Sequence, residues 1–137
     1  MSLTLKWSQL LAAPLFIQAT RFGATGIVNT VVGLSVIFIA LTYGANDVEA
    51  NALGYSVGLL TSFSLNRSWT FAHRGKASRS FVRFLMVVAV AYCCNLAVVV
   101  LTHRVFGVNV YLAQVVGVAA YAVIGFFGSR MFAFAGR

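Results

Sequence analysis

The sequence predicts an all-α membrane protein. Its four transmembrane helices form two hairpins, the second repeating the first in parallel orientation, with the N- and C-termini both cytoplasmic. Three observations carry this prediction. Of 137 residues, 61% are apolar and only 9% charged, against roughly 45–50% and about 25% in soluble domains, and a chain this short has no interior large enough to hide that surface from water. The apolar residues fall in four uncharged stretches, about 22–43, 50–66, 84–102 and 110–129, each near the roughly 20 residues a helix needs to cross hydrocarbon. Finally, the cations are sided. Lys6 and Arg21 precede the first stretch, Arg67, Arg74, Lys76, Arg79 and Arg83 fill the connection between the second and third, and Arg130 and Arg137 follow the fourth. Only Arg104 lies on the other side, with both acids, Asp47 and Glu49. Lys and Arg are retained on the cytoplasmic side of a membrane, which orients the chain.

Residues 1–20 read as a cytoplasmic amphipathic segment, or else as a disordered or frayed terminus, ahead of a transmembrane domain over 21–137. Leu3, Trp7, Leu10, Leu11 and Pro14 fall near helical spacing beside Lys6, as expected of a helix lying on the membrane surface. A secretory signal is excluded, because the apolar run is short, holds Pro14 and is followed at once by a spanning helix. The first span carries Asn29 and Thr30. The second is the shortest and ends in Thr61, Ser62, Ser64 and Asn66, and its Gly54 and Gly58 have the spacing that lets helices approach closely. The third holds Asn95 and the adjacent Cys93 and Cys94, read as packing residues. The fourth holds Gln114, and repeats the small-residue spacing at Gly125 and Ser129.

The halves are duplicated. Arg21-Phe22 recurs 62 positions later as Arg83-Phe84, and NRSWTF, with Arg67, Trp69 and Phe71, recurs 63 positions later as SRMFAF, with Arg130, Phe132 and Phe134. Gly54 and Gly117 share the second offset. Each half enters and leaves on the cytoplasmic side, so the repeats are parallel. The repeated residues lie where headgroups lie.

An arginine just outside a span is, by itself, an orientation signal that reaches to the headgroups. Four at matched positions have a second reading: Arg21, Arg67, Arg83 and Arg130 as a cytoplasmic-facing cationic ring for a phosphate, which guanidinium forks bind bidentately. Asn66 would add a hydrogen bond. Trp69 offers an aromatic face to a sugar or isoprenoid, or serves as a plain interfacial anchor. Amides in hydrocarbon need partners. Asn29, Thr30, Asn95 and Gln114 therefore read either as glue between helices or as a polar ladder for the hydroxyls of a passing sugar.

Several classes are excluded. No Asp or Glu lies within a span, and His73 and His103 lie in connections, so a proton-coupled exporter has no titratable group to use. No zinc spacing, P-loop, nucleophile elbow or dinucleotide fingerprint is present; no catalytic residue, metal or cofactor is expected. The basic connection reads as topogenic rather than as a nucleic-acid site.

RFGATGIVNTVVG at Arg21 to Gly33, with SFSLNRSWTF at Ser62 to Phe71, resembles the signature of the GtrA family of small four-span bacterial membrane proteins, and the likeness covers Arg21 to Phe134. That resemblance implies a non-enzymatic flippase in the bacterial inner (cytoplasmic) membrane. It would move a polyprenyl-phosphate-linked monosaccharide, such as undecaprenyl-phosphate glucose, to the outer leaflet for O-antigen or cell-wall polysaccharide. It also singles out Asn29, Asn66, Arg67 and Trp69. The chain departs from the family where an Asn-Arg pair often repeats: it reads Ser129-Arg130. Four helices are too few to enclose a headgroup, so a homodimer with a groove open to lipid is expected. The alternative is an accessory protein that recruits or stabilises a membrane glycosyltransferase without moving lipid.

Overall fold

The computed structural model describes residues 3–136, with side chains described from 14 onward except at 47. It is all-α: α1 spans Leu3–Thr42, α2 Asp47–Leu65, α3 Ala77–Val100 and α4 Val110–Gly128. Two compact units divide the chain at Ala72/His73, one hairpin in each.

Among the described residues, three stretches are long and apolar enough to cross a membrane: Pro14–Thr42, Ala77–Val105 and Val110–Ala133, with mean hydropathies of 2.1, 2.6 and 2.0. Four were expected. The stretch 50–66 does form a helix, but α2 falls short of a span by composition. It begins with two acids, and Asn51, Ser56, Thr61, Ser62 and Ser64 dilute its leucines and valines. The three qualifying stretches are apolar on the outside. Only 6% of the first window is buried, while Ile27, Phe38, Val90 and Val115 are all more than half exposed. That is the inverse of a soluble fold and suits a hydrocarbon solvent.

Helix α1 continues without a break through Pro14 and past residue 20. At 1.5 Å per residue its 40 residues run about 60 Å, twice the hydrocarbon thickness, so about half of it lies beyond the bilayer core. The amphipathic face expected at Leu3, Trp7, Leu10 and Leu11 lies outside the residues whose side chains are described.

In the first hairpin α2 returns antiparallel along α1. A tight link at 43–46 reverses the chain, with Gly44 at φ +90, open to glycine at no steric cost. Asn46 then caps α2: its side chain accepts from the Glu49 amide at 2.9 Å, and the Glu49 carboxylate accepts from the Asn46 amide at 3.1 Å. One of the chain's two acids is thereby committed to a capping box. The helices touch through glycine. A Cβ on Gly54 would stand 2.7 Å from the Gly33 carbonyl oxygen, and one on Gly58 would stand 2.6 Å from Asn29 Oδ1. The expected small-residue contact is therefore where α1 and α2 meet.

The second hairpin uses the same device at the matched place. Gly117 of α4 faces the Asn95 carbonyl and side-chain oxygens, each 3.3 Å from where a Cβ would lie, and Gly128 packs on Val87. At its turn the Phe106 amide donates to the Leu101 carbonyl at 3.2 Å, five residues back, and Asn109 caps α4 by accepting from the Tyr111 amide at 2.9 Å. Ala91, Ala113, Phe84 and Phe126 make its narrow core. Cys93 is exposed and Cys94 only half-buried, so the packing role expected of Cys93 is not met within this chain.

Candidate functional site

The arginine-bearing end of each hairpin closes on a π turn. After α2, residues Asn66–Thr70 widen the helix, and the Phe71 amide donates five residues back to the Asn66 carbonyl at 2.9 Å. After α4, residues Ser129–Ala133 do the same, with the Phe134 amide on the Ser129 carbonyl at 2.8 Å. Such turns insert one residue into the helical register and recur at functional sites. A third π turn, Leu101–Val105, closes α3 outside the motif, but these two fall at matched positions of the repeat, so the duplication there extends to backbone geometry.

Each π turn is clasped by the arginine that opens its hairpin. Arg21 donates through Nη1 to the Trp69 carbonyl at 3.0 Å, and its Cζ lies 5.4 Å from the centre of the Trp69 ring. Arg83 donates to the Phe132 carbonyl at 3.4 Å, with its Cζ 5.2 Å from the Phe132 ring. Two forces act together here. The last carbonyls of a helix are its negative end and take a cation, and an aromatic face attracts the same cation. One aromatic pair backs each clasp: Phe22 on Phe71 at 6.4 Å, and Phe84 on Phe134 at 6.0 Å. A guanidinium has five N–H donors, so the clasp leaves donors on Arg21 and Arg83 for an anion.

Beneath the clasps the hairpins differ. In the first, Thr25 and Thr70, 0% and 2% exposed, share a hydrogen bond at 3.2 Å. At the matched positions of the second stand Val87 and Ala133, both buried. Asn66, 1% exposed, donates through Nδ2 to Ser62 Oγ at 3.2 Å, while its Oδ1 is buried without a partner. The matched residue Ser129, also 1% exposed, has a buried hydroxyl without a partner.

The expected site residues sort by hairpin. Arg21, Asn66, Arg67 and Trp69 gather at one end of the first, with Arg67 half-buried in the π turn and Trp69 44% exposed. Arg83 and Arg130 hold the matching places in the second. Asn29 and Asn95 are half-buried, each against a glycine of its partner helix. Thr30 is exposed and bonds its own helix, donating to the Gly26 carbonyl at 2.9 Å, and Gln114 is exposed on α4.

Sequence reasoning missed four participants. Thr25 and Thr70 carry no pattern on their own, since only the close return of α2 brings them together. Ser62 was legible as a partner for Asn66, because four residues apart on a helix is contact distance. His73, read only as a connection residue, ties the second hairpin: its Nδ1 lies 3.0 Å from the Gly136 carbonyl oxygen and its ring stands edge-on to Phe134 at 5.8 Å.

Comparison with known proteins bears on this geometry. The family model described as GtrA/DPMS, transmembrane domain, matches residues 21–134, which begins at the first clasp arginine and ends at the last clasp aromatic. The chain is also similar to the uncharacterized membrane protein YngA of Bacillus subtilis (strain 168), 26% identical over 115 residues, covering 83% of this chain and 77% of that protein.

Proposed function

Because the chain belongs to the GtrA/DPMS transmembrane-domain family, we propose that it carries a polyprenyl-phosphate-linked monosaccharide from the cytoplasmic to the outer leaflet of a bacterial inner membrane. The sugar then serves a surface polysaccharide such as O-antigen or a cell-wall glycan. The observation that carries this reading is the doubled arginine clasp. It holds a guanidinium group beside an aromatic face at the arginine-bearing end of each hairpin, the end that the proposed topology puts among the cytoplasmic headgroups.

In this reading α2 is the fourth crossing. It lies antiparallel along α1 from the Gly33/Gly54 contact to the Arg21/Trp69 clasp, so it returns through whatever thickness α1 has crossed. Its polar residues are matched locally: the Ser56 and Thr61 hydroxyls donate to carbonyls four residues back at 2.7 and 2.8 Å. Both termini are cytoplasmic on the strength of the cation asymmetry.

Arg67 takes the phosphate of the lipid, with Arg21 and, in the second hairpin, Arg83 and Arg130 supplying further cationic donors. Trp69 stacks on the sugar, while Asn29, Thr30, Asn95 and Gln114 offer hydrogen bonds along the way. The isoprenoid stays in lipid. No chemical step is needed. A phosphodiester carries one negative charge, and moving it outward across a membrane negative inside is favourable by about 2.3 kcal/mol per 100 mV. A homodimer supplies the groove wall that four helices lack.

The test is reconstitution. Purified protein in liposomes with labelled polyprenyl-phosphate sugar should speed the appearance of label to an impermeant outer-leaflet probe, relative to empty liposomes. No acceleration ends the transport reading and leaves the accessory role, which predicts co-purification with a membrane glycosyltransferase. Arg67→Ala and Arg67→Lys should both slow transfer, Lys because it lacks the fork; unchanged transfer removes Arg67 from the phosphate site.

A further inference from the structure

The two hairpins share a scaffold and differ in what it encloses, and the difference falls on one side chain. Asn66 opens the first π turn and is almost wholly buried. Ser62 takes its amide nitrogen, and its carbonyl oxygen Oδ1 meets nothing among the described residues. A buried acceptor without a donor is rare in a folded protein, and it is a place where a donor can be taken up from outside. The same end of the same hairpin holds a second such atom, Gln18 Oε1, about one turn before Arg21 on α1. Both are amide oxygens.

The chemistry of an amide oxygen narrows what the partner is. It accepts hydrogen bonds only, and a phosphodiester offers no donor. A sugar hydroxyl does. The matched atom in the second hairpin, Ser129 Oγ, makes a weaker case, because a serine hydroxyl can rotate onto the carbonyl four residues back in its own helix. With its amide nitrogen on Ser62 Oγ, the asparagine carbonyl has no such partner in its own helix. The neighbouring polar groups follow the same division. Ser62, Thr25 and Thr70 of the first hairpin stand where the second has Gly125, Val87 and Ala133.

On the transport reading above, we propose that Asn66 reads the sugar rather than the phosphate. Its Oδ1 accepts from a headgroup hydroxyl, with Gln18 Oε1 as a second acceptor, and this makes the first hairpin the one that tells the glycosylated lipid from the bare polyprenyl phosphate. The second hairpin contributes the clasp and its charge. Burial sharpens the discrimination: with bulk water kept from Oδ1, the bare lipid leaves an unmet acceptor that nothing else fills. The π turn is the element that admits the hydroxyl, since there, directly after α2, the helical ladder is already widened.

Binding of polyprenyl-phosphate hexose and of bare polyprenyl phosphate to the full chain in nanodiscs, followed by native mass spectrometry, tests this. The wild type should prefer the glycosylated lipid by about tenfold, the worth of one well-made hydrogen bond. Asn66→Leu should bring that ratio near one and leave the bare lipid bound as before. Asn66→Asp keeps an acceptor for the hydroxyl and should keep the preference, which also covers a Leu variant that fails to fold. Ser129→Ala should change nothing. Equal weakening of both lipids by Asn66→Leu, or loss of both with a folded Asn66→Asp, places the contact on phosphate and overturns the assignment. An unchanged ratio in Asn66→Leu makes the amide structural and overturns it too. Absent binding of either lipid by the wild type overturns the transport reading, and this assignment falls with it.

Discussion

Arg21 illustrates how one side chain serves two ends. Its Nη1 holds the Trp69 carbonyl at 3.0 Å and its Cζ lies 5.4 Å from the indole centre, so it ties the π turn after α2 to α1 while keeping further N–H donors for an anion. Arg21→Ala should destabilise the first hairpin by about 2 kcal/mol, combining a charged hydrogen bond with a cation–π contact, read as a lower melting temperature in detergent. Trp69→Phe should cost far less. The second hairpin already runs on that pairing, Arg83 on Phe132 at 5.2 Å. The Thr25–Thr70 pair offers a sharper comparison. Thr25→Val alone strands the buried Thr70 hydroxyl and should cost about 1 kcal/mol. Adding Thr70→Ala should recover most of it, since that combination reproduces Val87 and Ala133. A double-mutant cycle of denaturation energies checks the sign of the coupling.

At the scale of elements, close approach through glycine decides how each pair of helices packs. Without a hydrophobic drive between helices in lipid, contact must come from small residues that let backbones meet. Gly54→Leu would drive a side chain into the Gly33 carbonyl and Ile37, and should cost about 3 kcal/mol or prevent the hairpin from forming. Gly23→Leu should be tolerated, because nothing lies within 4 Å of a Cβ there. Thermal melts of the two variants give the contrast directly. Helix positions were legible from hydropathy, and the Gly54–Gly58 contact from spacing. The π turns were not. A periodicity of 3.6 has no term for one inserted residue, and the extension of α1 through Pro14 and of α3 back to Ala77 passes through polar or charged residues that hydropathy assigns to connections.

For the whole molecule, the proposed orientation rests on the sided cations and the duplication together. That proposal puts both termini in the cytoplasm, so a reporter fused after Arg137 should be active only in the cytoplasm, and one inserted at Gly107 only outside; the reverse pattern would invert the topology and put the clasps at the outer leaflet. Reporter activity in intact cells measures this. On that proposal every clasp arginine faces the cytoplasmic leaflet, as the proposed outward transport requires.

Composition, sidedness and the repeat were set by the sequence alone, because partition into hydrocarbon and retention of cations depend on residue type and order and need no fold. Family membership was legible for the same reason, in RFGATGIVNTVVG and NRSWTF. Which arginine does what was decided only by tertiary structure. Arg21 and Arg67 are alike as letters, yet one reaches 48 residues along the chain to clasp Trp69 while the other sits in the widened turn. The unmet oxygen of Asn66 is likewise a property of the folded hairpin. A side chain becomes orphaned only when helices close over it, and the energy of that closure comes from packing between residues far apart in sequence.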